Sequence, residues 1–98
     1  MKLIYFNKST NPTKRFMIKF SNPRKTIHFG DINGSTYIDH HDKDKRDNYI
    51  ARHEVREDWN NINAGSLSRY LLWGDSKDLK TNLIKYLNKF NIEHDIME

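Results

Sequence analysis

The sequence contains no cysteine. Disulfides and thiolate zinc centres are thereby excluded, and nothing requires an oxidising compartment. Long apolar runs are missing too. No segment approaches the roughly 20 apolar residues that span a bilayer. The opening MKLIYFNKSTNPTKRF holds too short an apolar stretch for a signal peptide. The expected setting is cytosol-like, neither secreted nor transmembrane. Apolar residues are themselves scarce: 36% of the chain is hydrophobic against 31% charged. Ninety-eight residues leave room for one thin core, which the 12% of aromatic residues partly offsets. No Gly-rich phosphate loop, Ser-His-Asp arrangement, internal repeat or low-complexity tract is present. No enzyme activity and no cofactor are expected.

Acidic residues are absent from one part of the chain. Residues 1–30 hold Lys2, Lys8, Lys14, Arg15, Lys19, Arg24 and Lys25 and no Asp or Glu, within a chain of net charge +4. Such asymmetry points to a polyanionic partner, unless the two parts neutralise one another in the fold.

In chain order, residues 2–6 are an apolar, aromatic run suited to a strand. Residues 14–20 alternate, with Phe16, Ile18 and Phe20 on one side and Arg15, Met17 and Lys19 on the other. A turn at Ser21-Asn22-Pro23 leads to a third strand from Arg24 to Phe29. The hairpin so formed presents Arg15, Lys19, Arg24 and His28 on one side, either as a groove-entering ribbon or as a solvated face. Asn33-Gly34 marks another turn and predicts a short last strand over residues 35–38.

Asp39-His40-His41-Asp42 invites a metal site, but adjacent side chains point apart on a strand and no third ligand has a diagnostic spacing. No metal is expected; His40 and His41 are the only candidates, and Asp42 suits a helix N-cap.

The most specific stretch is residues 46–73. As a helix over residues 45–58, Lys45, Arg46, Tyr49, Arg52, His53 and Arg56 fall within an arc of roughly 120°. Cations interleaved with aromatic rings suit phosphates and stacked bases, or the rings pack inward while the arginines reach out. Ser66 is the expected cap of a second helix running through Trp73 and ending at Gly74, with Leu67, Tyr70, Leu71 and Trp73 on its apolar side. Tyr49, Trp59, Tyr70 and Trp73 are expected to form a structural aromatic core with the two tryptophans at its centre. A third helix, capped by Ser76 or Asp75, carries Leu79, Leu83, Ile84, Leu87 and Phe90 at helical spacing.

Three segments, KTIHFG (25–30), RDNYIARHEVREDWN (46–60) and AGSLSRYLLWG (64–74), together resemble a family of small basic proteins of giant double-stranded DNA viruses, in mimivirus-like and chlorella-virus-like lineages. The similarity spans roughly residues 14–90. Lys43 stands where that family usually has proline, and Tyr70 where it usually has tryptophan. Heavy use of lysine, asparagine and isoleucine fits an A/T-rich genome. The resemblance implies a viral protein in the virion or the host cytoplasm and transfers no catalytic residue.

The expectation is one α+β domain over residues 1–98. A basic antiparallel sheet of three to four strands (1–39) precedes three helices packed on it (42–90), followed by a loose polar tail (91–98). The leading function is non-enzymatic nucleic-acid binding through phosphates with little sequence preference, DNA or RNA, carried by Arg15, Lys19, Arg24, Lys45, Arg46, Arg52 and Arg56. The alternative is an interaction subunit of a viral capsid or other assembly. It would meet an acidic protein surface, anchored by Tyr5, Trp59, Tyr70 or Trp73. A metal-dependent nuclease using His40 and His41 ranks last.

Overall fold

Three strands, β1 (Lys2–Lys8), β2 (Lys14–Ser21) and β3 (Lys25–Asp31), form an antiparallel meander in the order β1-β2-β3. The alternation in β2 sets its central place: Ile18 and Phe20 are wholly buried, and Phe16 packs between Phe6 and Phe29. Met17 lies on the other face by alternation yet is only 4% exposed, flanked in register by Asn7 and His28. A register shift between Leu3 and Tyr5 leaves Ile4 unpaired and exposed. The computed structural model describes residues 1–96; Met97 and Glu98, the end of the expected tail, lie outside the described residues.

Residues 35–38 do not extend the sheet. Asp31 closes a turn by accepting from the Asn33 and Gly34 amides, and Thr36 caps a single helical turn, α1 (Tyr37–His40). The sheet therefore stops at three strands. Helix α2 (Lys43–Glu54) starts where Asp42 accepts from the amides of Asp44 and Lys45 at 3.0 and 3.2 Å. It ends before Asp58, so Arg56 follows the helix rather than lying on it. Asn63, not Ser66, caps α3 (Ala64–Leu67), and the two residues satisfy each other's amides. This helix continues directly into a π-helical turn (Ser68–Leu72) closed by the Trp73 amide on the Ser68 carbonyl. Helix α4 (Leu79–Lys89) is capped by Asp78, later than Ser76 or Asp75.

The core gathers Ile18, Phe20 and Phe29 from the sheet, Leu67, Leu71 and Leu72 from α3 and the π turn, and Leu83, Tyr86 and Leu87 from α4. The apolar periodicity of α4 explains why this face turns inward. Tyr86 spans the layers, its phenol 2.8 Å from Ser66 Oγ and pushed up to about 12 by burial. The chain is thus α+β. Its radius of gyration, 13.0 Å, is that of a single folded unit of this length. Among the described residues no helix is long and apolar enough to cross a membrane.

Two expectations are corrected here. The tail is not loose at its start: Ile92 is buried, and Glu93 exchanges backbone bonds with Leu3 and Met1 at 2.9 and 3.0 Å. The two tryptophans are not the centre of the core either. Both are half-buried at its margin, and no ring contact joins them among the described residues.

Candidate functional site

Helix α2 buries only Tyr49. Its low apolar content leaves two fastenings. Tyr49 stacks on Trp73 with ring centroids 4.3 Å apart and planes 4° apart, and His53 stacks on Tyr49 from the next turn at 4.2 Å. Arg46 is the second. Its Nε donates to the Trp73 and Gly74 carbonyls at 3.2 and 2.9 Å, and its Nη2 donates to Asp75 at 2.8 Å. With Arg69 Nη1, which also donates to the Trp73 carbonyl at 2.9 Å, Arg46 supplies donors to carbonyls at the end of the π turn.

Beside this ring column lies a cleft of about 600 Å³. Its walls come from the Lys14/Asp31 end of the hairpin, the 30–36 loop, α2 and the start of α3. Small residues make the room: Gly30, Gly34, Ser35, Ala64, Gly65 and Ser68 all line it. Gly30, at φ +82°, already has Leu72 Cδ1 at 3.0 Å from where a Cβ would sit. A depression of about 300 Å³ adjoins it at His40, Lys45 and Trp73, and another of about 390 Å³ at His53, Val55 and Arg56. Arg52 borders all three.

The charges inside the cleft nearly cancel, with Lys14 and Arg52 against Asp31 and Glu57. His53 Nδ1 lies 2.9 Å from Glu57 Oε2, near enough for charge pairing but out of line for a hydrogen bond. The Tyr49 phenol is pushed up to about 12, first by burial and then by the Glu57 charge.

The seven expected cations separate into three groups. Arg15 and Arg46 are structural. Arg15 grips Asp39 with two bonds of 2.7 and 2.9 Å and also reaches Thr36, so its charge is spent inside the fold. Arg46 is held as described, 14% exposed. Lys19 lies 5.6 Å over the Tyr5 ring, and Arg24 is exposed in the β2–β3 turn, at the hairpin end opposite Lys14. Lys45, Arg52 and Arg56 are exposed around the cleft and its neighbours, and no ion pair holds them among the described residues. Lys14 joins them, one of the cations of residues 1–30 that was not among the expected contact residues. Its place follows from the register of the folded hairpin, which sets Lys14 opposite Asp31.

The aromatic residues also divide. Tyr49 and Trp73 form the column, while Trp59 sits under the Arg69 guanidinium at 5.3 Å. Tyr70 packs near Tyr86 between Arg69 and Lys89. His40 and His41 are locally engaged: His40 Nδ1 accepts from the Asp42 amide at 2.9 Å, and His41 Nε2 is 3.2 Å from the Ile38 carbonyl. Among the described residues no group of three or more potential metal ligands converges.

The Arg15–Asp39 pair has a consequence in acid. The Arg15 hydrogen bond, reinforced by Thr36, holds the Asp39 carboxyl at about 2. A depressed carboxyl stabilises the fold above its unfolded value, near about 4, and loses that contribution as pH falls from there toward 2. In urea titrations the stability gap between wild type and Asp39→Asn is therefore expected to be constant above about pH 5, to narrow as pH falls, and to close only below about pH 2. A gap that does not change with pH would show that the pair contributes nothing through charge.

No curated protein and no solved structure matches this chain. A model of a family of unknown function matches residues 4–53, just over half of it. That span covers the sheet from Ile4 onward, α1 and α2 as far as His53, and so includes Lys14, Lys45 and Arg52.

Proposed function

Because the chain belongs to the family of unknown function DUF5754, a description that assigns no activity, we propose a function from its own surface. It is a non-enzymatic protein that binds nucleic acid through phosphates, with little sequence preference. One observation carries this reading. Lys14, Lys45, Arg52 and Arg56, cations without ionic partners among the described residues, surround ring-lined depressions, while Arg15 and Arg46 are committed internally. Exposed cations around aromatic surfaces suit a phosphate backbone and its bases. The resemblance to giant-virus proteins favours a role in the virion or the host cytoplasm, as part of a larger viral assembly.

The test is binding to labelled single-stranded and duplex DNA and RNA across a salt series. Arg52→Glu/Arg56→Glu is expected to weaken binding at least tenfold for every sequence and to reduce the log–log salt slope by about 2. Lys80→Glu/Lys85→Glu on α4, with the same change in net charge, should do so far less. Equal losses from both pairs would reduce the effect to net charge alone. Arg15 is unsuitable for reversal because it holds Asp39.

A second reading has one observation of its own. Val55 is 84% exposed beside Arg52 and Arg56, an apolar anchor among cations that suits an acidic protein surface. Co-purification with a viral protein that survives high salt, without nucleic acid, would favour it.

A further inference from the structure

We propose that the site takes single-stranded nucleic acid, its backbone crossing Arg52 and its unpaired bases entering the depressions against His53, Trp73 and His40. The proposal rests on the nucleic-acid reading above and adds which form of the polymer is bound.

Charge argues for bases rather than phosphates inside. Lys14 and Arg52 are balanced within the cleft by Asp31 and Glu57, so two carboxylates would repel a phosphate there but not a neutral base. Outside it, Lys45 and Arg56 line only the adjoining depressions, whose walls include no Asp or Glu. Backbone at the rim and bases within is the arrangement these charges favour.

Shape and chemistry agree. The three depressions, about 600, 300 and 390 Å³, share Arg52, so one guanidinium borders successive nucleotide-sized spaces. Each offers an aromatic or imidazole surface. His53 ends the Trp73–Tyr49–His53 column with 41% of its side chain exposed, and no further ring covers it among the described residues. Ser35 and Ser68 also line the main cleft, and a serine hydroxyl can donate to or accept from a base edge. A duplex keeps its bases stacked on one another and presents none to such spaces.

The experiment compares one sequence as single strand, as duplex and as a single strand with abasic sites, at fixed salt, in DNA and in RNA. Abasic strands keep their phosphates, so they separate base contacts from charge. The single strand is expected to bind at least tenfold more tightly than the duplex or the abasic strand, the scale of one lost base stack. His53→Ala should narrow that preference while leaving the salt slope unchanged. With Trp59→Phe as background, the remaining Trp73 emission should be quenched by the intact strand and not by the abasic one. Equal affinity for all three ligands with a steep salt slope would overturn the base sites and keep the phosphate reading. No binding by any of them would overturn both.

Discussion

Replacing Gly74 with alanine is expected to destabilise the protein by about 3 kcal/mol, the upper range for forced overpacking. An added Cβ would overlap the Tyr70 carbonyl oxygen and approach Asn82 Cγ and Nδ2 to 2.8 and 2.9 Å. Neither neighbour can give way cheaply. The first is backbone in the π turn. The second is a 1% exposed amide whose Nδ2 donates to the Leu71 and Ser76 carbonyls at 3.0 and 2.7 Å. Its Oδ1 accepts from the Ser76 amide at 3.0 Å. Moving Asn82 would leave these groups unpaired in the interior. Urea unfolding of the variant measures the loss, and a midpoint equal to that of wild type would refute the argument. In combination with Asn82→Ala, the two losses should sum to less than their separate values, because one substitution removes part of the other's clash.

Arg46→Met is the second large effect, about 2–3 kcal/mol. It deletes the bonds to Trp73, Gly74 and Asp75; the Trp73 carbonyl keeps the Arg69 guanidinium at 2.9 Å, while the Gly74 carbonyl loses its guanidinium donor. Because α2 buries only Tyr49, the loss falls on the attachment of that helix more than on the core. Hydrogen exchange should show α2 amides losing protection ahead of those in β2 and α4. Arg46→Lys should recover little, since an ammonium cannot reach two carbonyls and a carboxylate with the same fork. Uniform loss across all elements would instead mean that α2 is an integral part of the core. The variant should also weaken nucleic-acid binding, because α2 positions Lys45 and Arg52.

Parts of this fold could be read directly from residue order. The alternation of residues 14–20 gave a strand with Ile18 and Phe20 inward, and the spacing of Leu79, Leu83 and Leu87 gave an amphipathic helix. Asp42 was recognisable as a cap, because a short acceptor side chain before a helix has one obvious use. Elsewhere local signals misled. An Asn-Gly turn suggested another strand where Thr36 and Asp39 instead close a helical turn. The polar residues after Asn91 concealed Ile92 and the backbone bonds that fasten the segment to Met1 and Leu3.

The candidate site was the least legible part. Arg15, Arg46, Arg52 and Arg56 are equivalent as letters, and a helical arc grouped three of them. Only the folded chain separates them. Asp39 lies 24 residues from Arg15, and Gly74 lies 28 from Arg46, so no local pattern could reveal either partnership. The same holds for Lys14, which the hairpin carries to the cleft, and for the π turn that ends at Trp73 against Tyr49. Sequence alone determined the basic character, the α+β composition and the apolar faces, because these depend on composition and on periodicities of two or 3.6 residues. Tertiary structure decided which cations hold the fold together and which remain at the surface. A cation's role follows from the neighbours that surround it, and here those neighbours come from distant parts of the chain.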